Sequence, residues 1–348
     1  MDNLRLNVTL LRRRVPNLTS AAKSVGLRPA TVSNLCTGKI PVGRSEVRTL
    51  VALASLAECS LDELILRGEK VNMVETGIKA LDLFAPLTKG GTVGLVARPG
   101  MGQLVVIAEM LERLKKEGYY SIMLKPEGEH PEINDIEKIV DLVINSIDDA
   151  YEKMVSIGKA KEITFVTDRS HVISGEIHRL QERLHDVGVE SVTTFLVDLK
   201  GEAVDEDLPY GPLETLWQFD ADLAARRKFP AVNPIFSTSS VLEGSHIDQT
   251  HLTIQQRARK LLRRYRELRS LVNIKGEKSL PASEVQTYKR GERLEAYLTQ
   301  PFYVAESYSG QEGMTVSLQD TLSDVRKILD GSFDSVDVEK MSYVGKLI

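Results

Sequence analysis

The chain has 348 residues, 42% hydrophobic and 27% charged, with a net charge of −4 at neutral pH. That balance describes a folded globular protein with room for two or three domains, and it excludes a disordered chain. With no apolar run of about eighteen residues, no basic-then-apolar leader and only two cysteines (Cys36 and Cys59), the sequence predicts no membrane insertion, no disulfide framework and no closed zinc site. A cytoplasmic location is the matching expectation.

The first 68 residues hold ten Lys and Arg against five Asp and Glu, a net +5 that leaves −9 for the rest. Such asymmetry hints at an anionic partner for the basic part. The spacing predicts five helices and no sheet here. The first covers residues 4–15 and carries Arg12-Arg13-Arg14. A short second helix, 21–25, is capped by Thr19 or Ser20 and stopped by Gly26. The third, 27–36, has Pro29 in its tolerated first turn and ends at Gly38-Lys39. A longer apolar helix spans 46–56, and Ser60 caps a last one in Ser60-Leu61-Asp62-Glu63-Leu64.

Over about residues 4–67 this pattern resembles the helix-turn-helix domain of the Cro and phage-repressor class. The parts that carry the resemblance are Ala21-Ala22-Lys23-Ser24-Val25-Gly26-Leu27, Thr31-Val32-Ser33-Asn34, Gly38-Lys39 and Ser60 to Leu64. In such domains the second helix of the pair enters the major groove. The resemblance therefore nominates Arg28, Thr31, Ser33 and Asn34 for base edges, since Arg pairs with guanine and Asn with adenine. Arg12, Arg13, Lys39 and Arg44 are nominated for phosphates. The competing reading is a helical protein–protein module that keeps the fold without DNA.

After a junction at Glu69-Lys70-Val71-Asn72, strand and helix patterns alternate: strand 92–96, helix 104–116, strand 120–124, helix near 134–157, strand 162–167, helix 173–187 and strand 191–199. Alternation of this kind predicts a parallel sheet with helices on both faces. Between the first strand and helix lies Ala97-Arg98-Pro99-Gly100-Met101-Gly102-Gln103-Leu104, the setting of a phosphate-binding loop. A working loop needs a Lys for the β/γ-phosphates and a hydroxyl for magnesium. Gln103 and Leu104 stand in those places, Ala97 replaces the first Gly, and Pro99 removes a backbone donor. No catalytic residue and no metal are expected. From about residue 245 the pattern is mostly helical. Its stretch 252–274 interleaves apolar positions with Arg257, Arg259, Lys260, Arg263, Arg264, Arg266 and Arg269, which read as a solvated charged face.

Several motifs in order resemble the beta subunit of the rotary F-type ATP synthase over roughly residues 70–348. They are Val74-Glu75-Thr76-Gly77-Ile78-Lys79-Ala80-Leu81-Asp82 through Lys89-Gly90-Gly91, Phe229-Pro230-Ala231-Val232-Asn233-Pro234, Ser237-Thr238-Ser239, and Leu298-Thr299-Gln300-Pro301-Phe302-Tyr303-Val304-Ala305-Glu306 followed by Val316-Ser317-Leu318. The resemblance implies a catalytic Glu and a γ-phosphate Arg within residues 119–132. An ungapped alignment puts Gly128 and Glu129 there, a one-residue slip brings Glu127 or Glu129 to the Glu position, and neither supplies the Arg. It implies a magnesium-supporting Asp, either Asp198 or Asp168, although each also suits a strand-end cap. Phe229 takes the place of the adenine-stacking aromatic, and Phe302 or Tyr303 that of the second wall. Weak ADP or ATP binding is compatible with these aromatics, and so is plain core filling. The family's crown barrel is replaced by the N-terminal helices, and its acidic rotor-facing loop aligns with Lys278 to Glu284, which keeps one acid and adds a Lys.

The expected fold class is therefore α/β: a P-loop NTPase-like (RecA-like) parallel sheet (69–244) with a C-terminal helical domain (245–348), preceded by a small all-α helix-turn-helix domain (1–68). The expected function is a DNA-binding regulator or nucleoid-associated protein with an inactive synthase-like body. That body would retain vestigial nucleotide-site positions Gly100, Gly102, Gln103, Asp198, Phe229 and Phe302, and would form a homo-oligomer of ring-like type. The alternative is a structural pseudo-ATPase subunit that assembles with itself or with an active ATPase, without DNA.

Overall fold

The computed structural model describes residues 4–15, 18–36, 40–67, 72–190, 192–206, 209–211, 213–243 and 248–347. They form two compact units, Met1–Asn72 with Ser240–Asp248, and Met73–Ser239 with Gln249–Ile348.

In the first unit, β1 (Leu4–Leu6) precedes α1 (Val8–Arg14), α2 (Leu18–Ser24), α3 (Pro29–Cys36), α4 (Val47–Leu56), α5 (Leu61–Leu64) and β2 (Ile65–Arg67). Two expectations are corrected here. The unit is not purely helical, because β1 pairs antiparallel with β2, Leu4 opposite Arg67 and Leu6 opposite Ile65. The first helix begins at Val8 rather than residue 4, since the Asn7 side chain caps it by accepting the Leu10 N–H at 3.0 Å. Between α2 and α3 the Leu27 N–H bonds to the Ala22 carbonyl and the Gly26 N–H to the Lys23 carbonyl, the paired bonds of a helix end turned through a left-handed residue. Ser60 and Glu63 cap α5 reciprocally. The apolar core includes Leu11, Val32, Leu35, Leu53 and Leu64.

The second unit is built on a seven-stranded sheet. In chain order its elements begin with β3 (Met73–Val74), α6 (Lys79–Phe84), β4 (Leu87–Thr88), β5 (Thr92–Val96), α7 (Gln103–Lys116) and β6 (Tyr120–Leu124). There follow α8 (Asn134–Ile139), β7 (Leu142–Ile144), α9 (Ile147–Ile157), β8 (Ile163–Asp168), α10 (Ser170–Ile173), α11 (Glu176–Asp186) and β9 (Val192–Val197). The last are β10 (Thr215–Gln218), α12 (Ala221–Ala225), β11 (Thr238–Ser239), α13 (Gln249–Lys275), α14 (Val285–Tyr297), α15 (Glu306–Ser309) and α16 (Leu318–Asp330).

The strand order is β11-β10-β5-β9-β8-β6-β7, and every pairing except β10 with β11 is parallel. β5 is buried along its whole length, as a parallel strand covered on both faces must be. Its Val93 and Leu95 join the core beneath α7, while Val96 joins the opposite core beneath α9 and α11. This mostly parallel sheet with a helical region after it is compatible with a P-loop-type body.

The helix expected over 134–157 is three elements. Leu142-Val143-Ile144 leaves the helix to pair with Ile122 to Leu124, and Ser146 then restarts it by accepting the Asp149 N–H. The helix expected over 173–187 is broken at Gly175, whose φ is +77°.

Against α6, the helices α13, α14 and α16 form a second core around Leu83, Phe84, Leu294 and Val325. Four cations of the basic stretch of α13 pair with carboxylates of the same unit. Arg257 pairs with Asp330, Arg264 with Glu284 and Glu267, Arg266 with Asp220 and Arg269 with Asp222. Arg259 donates to the carbonyls of Phe84, Pro234 and Ser237. This supports a structural charged face rather than a nucleic-acid surface. No helix among the described residues is long and apolar enough to cross a membrane.

Candidate functional site

In an open parallel sheet, ligands bind beyond the carboxyl ends of the strands, where the strand order reverses. Here that place lies at the end of β5, flanked by β9 and β10. The chain leaves β5 at Ala97 and enters α7 through Gly102, the N-cap residue, whose φ of +90° a side-chain-bearing residue rarely adopts. A left-handed glycine thus turns the chain from β5 into α7. Gln103, only 4% exposed, occupies the first position of α7, and Leu104 packs against the apolar core.

The chain itself occupies the neighbouring ground. Gly201 lies so close to the loop that a Cβ there would sit 2.5 Å from Pro99 Cδ and 3.2 Å from Arg98 Cα. The 3-10 turn that follows, Glu202–Asp205, brings carboxylates to the cations of this edge. Arg98 Nη2 pairs with Asp205 at 2.9 Å. Arg169 is 5% exposed at the end of β8, and it pairs with Glu206 at 2.5 Å and donates to the Pro209 carbonyl at 2.9 Å. Sequence reasoning overlooked Arg169; the signal was a basic residue directly after the strand ending in Asp168.

Both candidate metal-supporting carboxylates spend their oxygens on backbone. Asp198, 4% exposed, accepts the N–H groups of Lys200 at 3.0 Å and Ala203 at 2.6 Å. Asp168 accepts those of Ser170 at 2.9 Å and Leu199 at 3.2 Å. They fasten the turns after β8 and β9. Glu127 and Glu129 are exposed on the loop after β6, where His130 bridges the Glu127 carbonyl and the Glu132 carboxylate. Among the described residues no cluster of three or more His, Cys, Asp or Glu is arranged to hold a metal.

The aromatic positions separate. Phe229 is 37% exposed, and its ring stands 3.7 Å from where a Gly102 Cβ would be, so it lies directly beside the turn before α7. Phe302 is 5% exposed and belongs to the core beneath α7. Tyr303 is engaged elsewhere, with its hydroxyl 3.1 Å from Thr315 Oγ1 and the Lys116 ammonium 4.1 Å from its ring centroid.

A direct check follows for the contact that closes this edge. Gly201→Ala adds a Cβ against a proline ring in a left-handed backbone (φ +75°), and is expected to cost about 3 kcal/mol. Urea unfolding measures it, and a loss below about 1 kcal/mol would mean that the Gly201 turn and the loop separate without resistance.

In the first unit, α3 buries Val32 and Leu35 and turns Ala30 and Ser33 outward, with Thr31 and Asn34 half-buried at the margins. Arg28 is exposed just ahead of it, and its carbonyl accepts from the Thr31 and Val32 N–H groups. Arg44 is exposed on the 3-10 turn Val42–Arg44. Arg12 and Arg13 fall on α1, but their side chains, like the whole of Lys39, lie outside the described residues.

Comparison with protein-family models matches residues 242–335 to the C-terminal domain of V and A type ATP synthase. The match covers about a quarter of the chain and supports an ATP-synthase-like character for that part. It falls on the V and A types, where the motifs above were read as F-type.

Proposed function

We propose that this chain is a DNA-binding regulator or nucleoid-associated protein whose synthase-like body does not hydrolyse nucleotide and serves oligomerisation or nucleotide sensing. The observation that carries the DNA half is the α2–α3 pair, with its Gly26 turn, apolar inner face and polar outer face at Ser33. In this reading α3 enters the major groove, Arg28, Thr31, Ser33 and Asn34 meet base edges, and Arg12, Arg13, Lys39 and Arg44 meet phosphates. The other half rests on Gln103 and Leu104, which put neither a Lys nor a hydroxyl at the start of α7, and on Asp198, whose carboxylate accepts two backbone N–H groups. Self-association would array the DNA-binding units and raise avidity without new contacts.

Fluorescence anisotropy against genomic DNA fragments tests this. With four phosphate-directed cations per chain, the log–log salt slope per protomer is expected near about −4. Asn34→Ala is expected to relax sequence preference more than Arg12→Ala does. Absence of binding at roughly 50 mM salt, where phosphate contacts are strong, would sink the proposal.

The match of residues 242–335 to a synthase C-terminal domain is equally compatible with a second reading, a pseudo-subunit that assembles with itself or with an active ATPase. Co-purification of a paralogue with a complete phosphate loop, in the absence of DNA binding, would select it.

A further inference from the structure

We propose that Tyr343 is a positioning residue: residues 342–347 act as a strap that holds the Phe229 ring over the Gly102 turn as a stacking platform for a planar base. The proposal rests on the nucleotide-sensing reading of the second unit given above.

The strap acts through one hydroxyl. Tyr343 Oη donates to the Arg227 carbonyl and accepts the Phe229 N–H at 3.2 Å, so it brackets the residues on either side of Lys228. The Phe229 carbonyl is fixed independently, by the Gln300 N–H at 2.9 Å. Both backbone groups of Phe229 are therefore tied, while the residue stays over one-third exposed with its ring beside the loop. An apolar ring left uncovered on a doubly anchored backbone is what a preorganised stacking surface requires.

The strap is itself anchored along its length. The Tyr343 N–H donates to Thr299 Oγ1 at 2.7 Å, and Lys79 Nζ donates to the Val344 carbonyl at 2.5 Å. Lys346 pairs with Asp320 at 2.5 Å, and the Leu347 N–H donates to Asp324 at 2.7 Å. Backbone strain marks the same junction. Arg227 and Tyr343, the two residues joined by the hydroxyl, both have φ of +55°. A left-handed backbone at a residue with a side chain is disfavoured and persists where surrounding contacts over-determine it, as at ligand clamps and switches.

The test uses the full chain and two readouts. Tyr343→Phe keeps the ring and its packing and removes only the hydroxyl. Hydrogen exchange read by mass spectrometry is expected to speed at least tenfold for the Phe229 amide, with no change in the β5 to β9 strands. Affinity for N-methylanthraniloyl-ATP is expected to fall at least fivefold. Thr299→Val, which removes the acceptor for the Tyr343 amide, is expected to act in the same direction and serves if the first variant does not fold. Unchanged exchange at Phe229 overturns the strap. Faster exchange with unchanged probe affinity overturns the positioning role. A wild-type chain that fails to bind the probe at millimolar concentration overturns the base-stacking reading instead, while the exchange measurement still decides the strap.

Discussion

Arg113→Met is expected to destabilise the second unit by about 3 to 5 kcal/mol, the cost of stripping the partner from a buried charge. Arg113 is 6% exposed and Glu109 is fully buried, one helical turn apart on α7. The guanidinium uses its fork on several segments at once. Nε meets Glu109 at 2.7 Å, Nη1 meets the Thr76 carbonyl and Thr315 Oγ1 at 3.0 Å each, and Nη2 meets the Met314 carbonyl at 2.7 Å. The second Glu109 oxygen accepts the Val304 N–H at 3.1 Å. The pair therefore ties the helix that starts at the phosphate-type loop to the stretches before β4 and after Phe302. A methionine fills the volume but leaves the buried Glu109 carboxyl without its partner and several acceptors unpaired. Glu109→Leu with Arg113→Met is expected to recover part of the loss, because removing both charges removes the desolvation penalty. Arg113→Lys is expected to behave closer to Met than to Arg, since an ammonium cannot serve that fork. Urea titrations followed at Trp217, buried in β10, report all three; a single-variant loss below about 1 kcal/mol would remove the clamp from the account.

What the sequence made legible divides along the same physical line. Elements fixed by local pattern were readable: strand 92–96 and strand 120–124 emerge at those bounds, and the helix read as 104–116 starts one residue earlier at Gln103. The failures came where a partner distant in sequence decides. Leu4 to Leu6 is a strand only because Ile65 to Arg67 lies alongside, and Leu142 to Ile144 only because Ile122 to Leu124 does. Residue identity showed Gln103 and Leu104 at the start of α7, where a phosphate loop would carry a Lys and a hydroxyl. It did not show that Gly201 and the carboxylates of 202–206 lie against that loop, because the approach joins residues about a hundred positions apart. Asp198 and Asp168 were readable as strand-end acids in either of two roles. The hydrogen bonds to Lys200, Ala203, Ser170 and Leu199 supply the capping one.

Lys79 should give the second unit a stability that rises with pH between about 7 and 9.5. Its ammonium has no exposed surface: it donates to the Val344 carbonyl and lies 4.2 Å from the Tyr297 ring centroid. Burial pushes its pKa down to about 7, against the opposing pull of the Asp324 carboxylate. In the unfolded chain an ordinary Lys titrates near 10.4. Between those values the unfolded state holds a proton that the folded state has released, so raising the pH favours folding; below about 7 both states are protonated and the slope vanishes. The gain available is at most about 4.6 kcal/mol, with about half of it or more expected by pH 9.5. Asp82, pushed up to about 7 by burial despite three donors from Thr76 and Gly77, is half titrated at the start of this window and opposes the rise until its proton is lost above about pH 8, a contribution that Lys79→Met leaves in place. Tyr210, Tyr265 and Tyr297, all raised by burial, lower stability only once unfolded tyrosines ionise near pH 10, which sets the upper limit of the measurement. Lys79→Met is expected to flatten the urea midpoint across pH 7 to 9.5 relative to the unaltered chain. Parallel pH profiles for the two would show that Lys79 stays protonated in the folded state, held by Asp324 and the Val344 carbonyl. In that case the strap of residues 342–347 is anchored by a permanent charge rather than by a neutral amine.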